Sequence, residues 1–268
     1  MISLGQRGGT GHPVGGEMAM AGQARRAIAC RVAVLAGGLV LSPVLAPGVA
    51  SGAPQGSAAA LPLTLRLEAQ ASLSMGSRSL LERQLANGSW ANHPVITSLV
   101  ALALSNGPAG ERADGQAAVG RGLNFIAGQA VPEGGIWNRE TQQYPIYSTA
   151  ISLLALVRAN RPGDLAVLRR GRDYLVRAQC MVEAPDHPWH GGFSAGNGRP
   201  PDLTESQWAI ELLYLTDYLD RPPLAAAAGA AGRADAAYCR AARFIARCQG
   251  PAATPAAAGR FADGPADD

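Results

Sequence analysis

Leu123-Asn124-Phe125-Ile126-Ala127-Gly128-Gln129, followed after five residues by Gly135-Ile136-Trp137, is the stretch that decides the fold. A helix-forming apolar run ends on a glutamine, a short loop follows, and an aromatic closes it. The outline recurs on both sides. Leu80-Leu81-Glu82-Arg83-Gln84 leads to Gly88-Ser89-Trp90. Tyr174-Leu175-Val176-Arg177-Ala178-Gln179 leads to Gly192-Phe193, through a longer loop and with no residue between glycine and aromatic. Phe244-Ile245-Ala246-Arg247-Cys248-Gln249 leads to Gly259-Arg260-Phe261. The glutamines step by 45, 50 and 70 residues. Periods of this size mark repeat architectures, in which each unit buries its apolar face against its neighbours.

Each of the first three loops runs into a second apolar segment: Pro94 to Leu104, Tyr147 to Val157 and Leu203 to Leu219. Tyr147 to Val157 is apolar on nearly every side, the pattern of a helix buried all round. The glutamine-ending helices are amphipathic. In the last, Arg240, Arg243 and Arg247 lie opposite Phe244, Ile245 and Cys248. Buried helices alternating with half-exposed ones imply an inner and an outer layer. Breakers set the boundaries. Asn160-Arg161-Pro162-Gly163 ends one helix, with Asp164 placed to cap the next, and Arg221-Pro222-Pro223 ends another before an Ala/Gly-rich linker from Leu224 to Gly232. The reading is all-α, with about seven helices between about residue 64 and 249 and no convincing two-residue period.

A glutamine, a Gly-x-Trp and a Thr/Ala-rich apolar helix, in that order, resemble the repeat of squalene–hopene and oxidosqualene cyclases and of protein prenyltransferase β subunits. The resemblance covers residues 64–261. It implies an α/α toroid of helical hairpins around an apolar cavity, incomplete here because no inner helix follows the fourth outer one. It also implies structural roles for Gln84, Trp90, Gln129, Trp137, Gln179, Phe193, Gln249 and Phe261. The glutamines would bond into the loops, and the aromatic rings would cover the N-terminus of a neighbouring helix. Residues 262–268 are expected to be a disordered tail.

In that family the cyclases protonate an alkene with the central aspartate of Asp-x-Asp-Asp-Thr-Ala at the start of an inner helix. The matching stretch is Asp202-Leu203-Thr204-Glu205-Ser206-Gln207-Trp208-Ala209. Asp202 takes the first acidic place, Glu205 the last, and Thr204 the central one. A threonine hydroxyl supplies no strongly acidic proton. Read from the residues alone, Asp202 and Glu205 form a helix capping box. Read as chemistry, Glu205 is an acid with a raised pKa, supported by Asp202. His93, Tyr147, Thr204 and Trp208 are candidates to line the cavity.

Asp186-His187-Pro188-Trp189-His190 is the other polar cluster. Two histidines beside an aspartate have the chemistry of zinc ligands, but the flanking prolines point to a solvated loop. The Asp, Cys and His set of the prenyltransferases is not matched, so neither metal nor cofactor is expected. Thioester, Gly-x-Ser-x-Gly and His-Glu-x-x-His motifs are absent.

Composition narrows the classes further. The chain has 268 residues, a formal charge of +3 and no lysine, which excludes Schiff-base, pyridoxal-phosphate and phosphate-loop chemistry. The arginines form no stripe interleaved with aromatics, so nucleic acid is not an expected partner. Residues 1–53 read as an export signal with an over-extended start. Arg25, Arg26 and Arg31 precede the apolar run Val32 to Leu45, and small residues around Ala50 and Ala53 offer cleavage. An uncleaved N-terminal anchor is the rival reading. Residues 54–63 form a linker. Cys180, Cys239 and Cys248 read as buried thiols.

Together these features describe an exported, extracytoplasmic repeat protein that lacks standard cyclase chemistry and binds an apolar lipid, such as a polyprenyl or triterpene, or a protein partner at its open end. The alternative is a terpenoid cyclase, an intramolecular transferase using Glu205 and Asp202 as its acid. A weaker alternative is a carbohydrate-active toroid enzyme, which would need paired carboxylates across an aromatic groove.

Overall fold

The computed structural model describes residues 62–141, 143–194, 198–221, 224, 230–249 and 264, with side chains in the last helix from residue 233 onward. The export signal, most of the linker, Phe261 and all of the tail but Gly264 lie outside the described residues.

The fold is all-α. Seven α-helices run in order among the described residues: α1 (Leu63–Glu82), α2 (Pro94–Asn106), α3 (Ala113–Gly128), α4 (Pro145–Ala159), α5 (Leu165–Ala178), α6 (Leu203–Leu215) and α7 (Ala230–Cys248). Single 3-10 turns at Pro108–Glu111, Pro162–Asp164 and Asp217–Asp220 follow α2, α4 and α6. Among the described residues there is no strand; isolated bridges pair Ala130 with Ile136 and Phe193 with Asp202. Two boundaries differ from the sequence reading. The apolar segment from Leu203 leaves the α-helix after Leu215, and α7 begins inside the Ala/Gly-rich stretch, where alanine favours helix.

Packing sorts the helices into two sets. α4 lies between α2 and α6, while α3, α5 and α7 back α2, α4 and α6 respectively. The uniformly apolar character of α4 follows from this placement, since Ile146 and every residue from Ser148 to Leu156 are buried. Proline at the first turn of α2 and α4 sits where its missing N–H costs nothing. One core runs through these helices, with Ile126, Leu153, Leu156, Leu175 and Phe244 fully buried within it. α7 shows the amphipathy its sequence announces: Phe244, Ile245 and Cys248 are buried and Arg243 is exposed.

α1 behaves differently. No residue in it is buried, and it touches the body mainly at the 3-10 turn Pro108–Glu111. Leu63, Leu65, Leu67, Leu73 and Met75 are all exposed.

Asp164 stands at the N-cap position of α5, but its side chain makes no capping bond. Its carboxylate instead pairs with Arg161, at 2.7 Å from Nε and 2.9 Å from Nη2, and Arg161 in turn reaches Asn124 at 2.9 Å. A guanidinium offers two parallel N–H groups, a stronger match for a carboxylate than one backbone N–H.

Candidate functional site

The loops that join one hairpin to the next share one geometry. Gly88, Gly134 and Gly191 have φ of +85°, +100° and +86°. A Cβ on them would lie 2.7, 2.3 and 2.6 Å from the carbonyl oxygens of Arg121, Arg170 and Arg240. Only glycine fits both the backbone angle and the close approach. Two residues later the backbone N–H is held by a hydroxyl of the following helix: Trp90 by Thr97 at 3.0 Å, Ile136 by Thr149 at 2.9 Å and Phe193 by Ser206 at 2.9 Å.

This geometry corrects the sequence alignment in two repeats. The equivalents of Gly88-Ser89-Trp90 are Gly134-Gly135-Ile136 and Gly191-Gly192-Phe193. The third repeat therefore has its middle residue, and the tryptophan position of the second is Ile136, not Trp137. Trp137 lies outside the tie, half-buried, with its ring 5.5 Å from that of Tyr174.

The glutamines follow the same register. Gln84 Nε2 donates to Gly88 O and Ala118 O, both at 2.8 Å, and its Oε1 accepts from Arg121 Nε at 3.1 Å. Gln179 Nε2 donates to Gly191 O and Ala237 O, both at 2.8 Å, and its Oε1 accepts from Arg240 Nε at 2.9 Å. Gln84 and Ala130 each stand four residues before their loop glycine, and in the longer third loop Gln179 stands twelve before Gly191. The second repeat carries alanine at the bonding position, and Gln129, one residue early and half-buried, makes no such tie. Gln249 occupies the same place at the end of α7 and is half-buried.

The aromatic role also differs from the expectation. The Trp90 indole N–H donates to Leu80 O at 2.7 Å, at the C-terminal end of α1. An indole N–H is a donor, and the last turn of a helix holds the unpaired acceptors. Phe193 is fully buried and has no such polar handle.

The start of α6 carries the candidate chemistry. Asp202 Oδ1 accepts the Glu205 backbone N–H at 2.7 Å and so caps the helix. The reciprocal half of a capping box is missing, because the Asp202 N–H goes to Phe193 O at 3.1 Å. The Glu205 side chain turns inward and is 3% exposed, with Oε2 lacking a hydrogen-bond partner. Burial and the neighbouring charge of Asp202 push its pKa up to about 7, and the Tyr147 backbone N–H, in the first turn of α4, pulls the other way. Thr204, its neighbour in the same turn, is exposed.

Tyr147 and Trp208 are half-buried, and their rings meet edge to face at 6.2 Å between α4 and α6. Burial, and less strongly the Glu205 charge, raise the Tyr147 pKa. His93 stands apart from this group. It caps α2 through Nδ1, which accepts the Val95 N–H at 3.2 Å, and burial lowers its pKa. The structure thus groups Asp202, Thr204, Glu205, Tyr147 and Trp208, and gives His93 a capping role.

Glu211, one turn beyond Trp208, was not singled out from sequence. Burial raises its pKa, and Arg158 of α4 offsets part of that. A lone glutamate mid-helix carries no motif, so no sequence signal marked it. A groove of about 340 Å³ between α1 and the Pro108 turn is lined by both polar and apolar side chains and includes none of the candidate residues.

The histidine cluster is a structured loop. His187 Nδ1 accepts the Trp189 N–H at 3.1 Å, His190 Nδ1 lies 3.0 Å from Val182 O, and Arg247 donates to His190 O. Among the described residues no three His, Cys, Asp or Glu side chains converge on a possible metal position. Cys180 and Cys239 are half-buried free thiols, and Cys248 is buried. Among the described residues no helix is long and apolar enough to cross a membrane.

No protein-family model matches the chain, and no curated protein matches it significantly.

Proposed function

We propose that this chain is a repeat protein of the squalene-cyclase and prenyltransferase type, exported and built as part of an α/α toroid. Its row of α2, α4 and α6 takes an apolar ligand, a polyprenyl or triterpene, without standard cyclase chemistry. One observation carries the reading. At the start of α6 the solvent-facing position is Thr204, while Asp202 caps the helix and the Glu205 carboxyl is buried. Neither carboxylate is presented to a substrate lying on the row. The recurring hairpins and the apolar side chains available there, Ile96, Leu99 and Trp208, support the same reading.

A cyclase remains the second reading, and the raised pKa of Glu205 favours it, since an acid near pH 7 holds a proton to give. Incubating the full chain with squalene and mixed polyprenyl lipids, followed by mass spectrometry, separates the two. Bound, unchanged lipid supports the binding reading. A product of unchanged mass and new retention, lost in Glu205→Gln, supports the cyclase. Absence of both binding and conversion overturns the lipid reading and leaves a protein partner.

A further inference from the structure

We infer that the groove between α1 and the Pro108–Glu111 turn is a binding site for a small zwitterion, an α-amino acid with an apolar side chain. The inference is independent of what the row of α2, α4 and α6 binds.

The groove holds about 340 Å³, at the small end of ligand pockets, which run from ~300 to ~1,000 Å³. α1 supplies one wall with Ser74, Ser77, Arg78, Leu81 and Glu82. Steps of three and four residues put these five on one face of the helix. Pro108, Ala109, Arg112 and Asp114 make the other wall.

The polar groups of the two walls differ. Arg112 and Asp114 are committed to each other, Nε to Oδ1 at 3.0 Å and Nη2 to Oδ2 at 2.7 Å. On the α1 wall the side chains of Ser74, Ser77, Arg78 and Glu82 make no hydrogen bond or ion pair among the described residues. Ser98 and Ser105 of α2 return their hydroxyls to the carbonyl four residues back, at 2.7 and 2.8 Å. Ser74 and Ser77 do not, so both hydroxyls stay available. Arg78 and Glu82 stand one helical turn apart with the arginine first, the weaker orientation for a pair within a helix. The α1 wall therefore offers two hydroxyls, a guanidinium and a carboxylate.

The charges of the groove balance, with Arg78 and Arg112 against Glu82 and Asp114. A simple anion such as phosphate would meet two carboxylates, and a simple cation two guanidiniums. A ligand that carries both signs on neighbouring atoms meets neither repulsion. An α-carboxylate matches the fork of Arg78, with the serine hydroxyls as further donors. The α-ammonium beside it matches Glu82, and Leu81, Pro108 and Ala109 take the apolar side chain. α1 rests on the body mainly at this turn. An occupant that touches both walls ties α1 down and stabilises that contact by mass action.

The test is isothermal titration of the full chain with three probes of one carbon skeleton: leucine, isocaproate, which lacks the ammonium, and isoamylamine, which lacks the carboxylate. The expected result is saturable leucine binding with Kd below ~1 mM and at least tenfold weaker binding of either truncated probe. Arg78→Gln weakens leucine at least tenfold and leaves isoamylamine unchanged. Glu82→Gln weakens leucine by the same factor and strengthens isocaproate, because the repelling carboxylate is gone. Both substitutions place a good helix former at an exposed position, and circular dichroism checks that helix content is kept. Hydrogen exchange in α1 slows when leucine is added to the wild type and not when it is added to either variant. Isocaproate or isoamylamine binding the wild type as tightly as leucine, leucine binding unaltered by both substitutions, or no leucine binding up to ~10 mM would each overturn the inference.

Discussion

The side-chain amide of Gln179 donates to the carbonyl of Ala237 at 2.8 Å, across 58 residues of sequence. The same nitrogen reaches Gly191 O at 2.8 Å, in a buried setting. One side chain thus fixes its own loop and the next helix together.

Removing it leaves two buried carbonyls short of a donor and the Arg240 guanidinium short of an acceptor. Gln179→Ala should lower stability by about 1–3 kcal/mol, the cost of unsatisfied buried polar groups. Gln129→Ala should change stability by under about 0.5 kcal/mol, as for a surface position outside the tie. Urea denaturation of both variants checks the contrast, and equal effects would refute the corrected register.

Gly134→Ala meets both a positive φ and a carbonyl 2.3 Å from the new Cβ. Strain of this kind costs on the order of 1–3 kcal/mol, more when backbone must move. Gly163→Ala, with nothing within 4 Å of the added carbon, is the control and should leave the melting temperature nearly unchanged.

Arg172 of α5 and Asp220 of the turn after α6 form a bidentate pair, Nη1 to Oδ1 at 2.7 Å, with both side chains nearly excluded from water. Asp220→Ala strands the guanidinium in the interior and should cost about 3–5 kcal/mol. Replacing both residues with apolar ones of similar volume should recover most of that loss. Thermal unfolding of the single and double variants reads the difference.

Glu205 makes stability depend on pH in a defined direction. Its pKa rises from 4.5 to about 7 on folding, so the folded chain binds the proton more tightly than the unfolded one. Between those two values stability falls as pH rises, because the folded state must ionise a buried carboxyl. Glu205→Gln should remove that slope and raise stability at pH 8 relative to wild type, by about 1 kcal/mol or more. Denaturation at pH 5 and pH 8 measures it. A wild-type slope of opposite sign assigned to this residue would mean that its carboxylate is better solvated than the structure indicates.

Periodicity alone reached the all-α class, the seven helices among the described residues and the buried character of α4. Those features depend on local hydrophobic spacing and on breakers such as Asn160-Arg161-Pro162-Gly163, and both are written along the chain. Asp202 as a helix cap was legible for the same reason: a cap acts over three residues. The repeat register was only partly legible. Matching letters put Gln129 and Trp137 on the repeat positions, but the tie is set by where a glycine at positive φ can press on the next helix, which places Ala130 and Ile136 there. That fit is made between residues 36 apart, Gly134 and Arg170, and no local pattern encodes it. The inward turn of Glu205 is likewise tertiary. α4 lies against that side of α6, and its first turn offers the Tyr147 N–H within the same buried space, so the charged group faces protein and Thr204 faces solvent. By itself the sequence determined which segments are helices and which of their faces are apolar, because both follow from short-range spacing. Only the tertiary structure decided which residues meet across the loops and which carboxyl lost its water, because both depend on long-range packing.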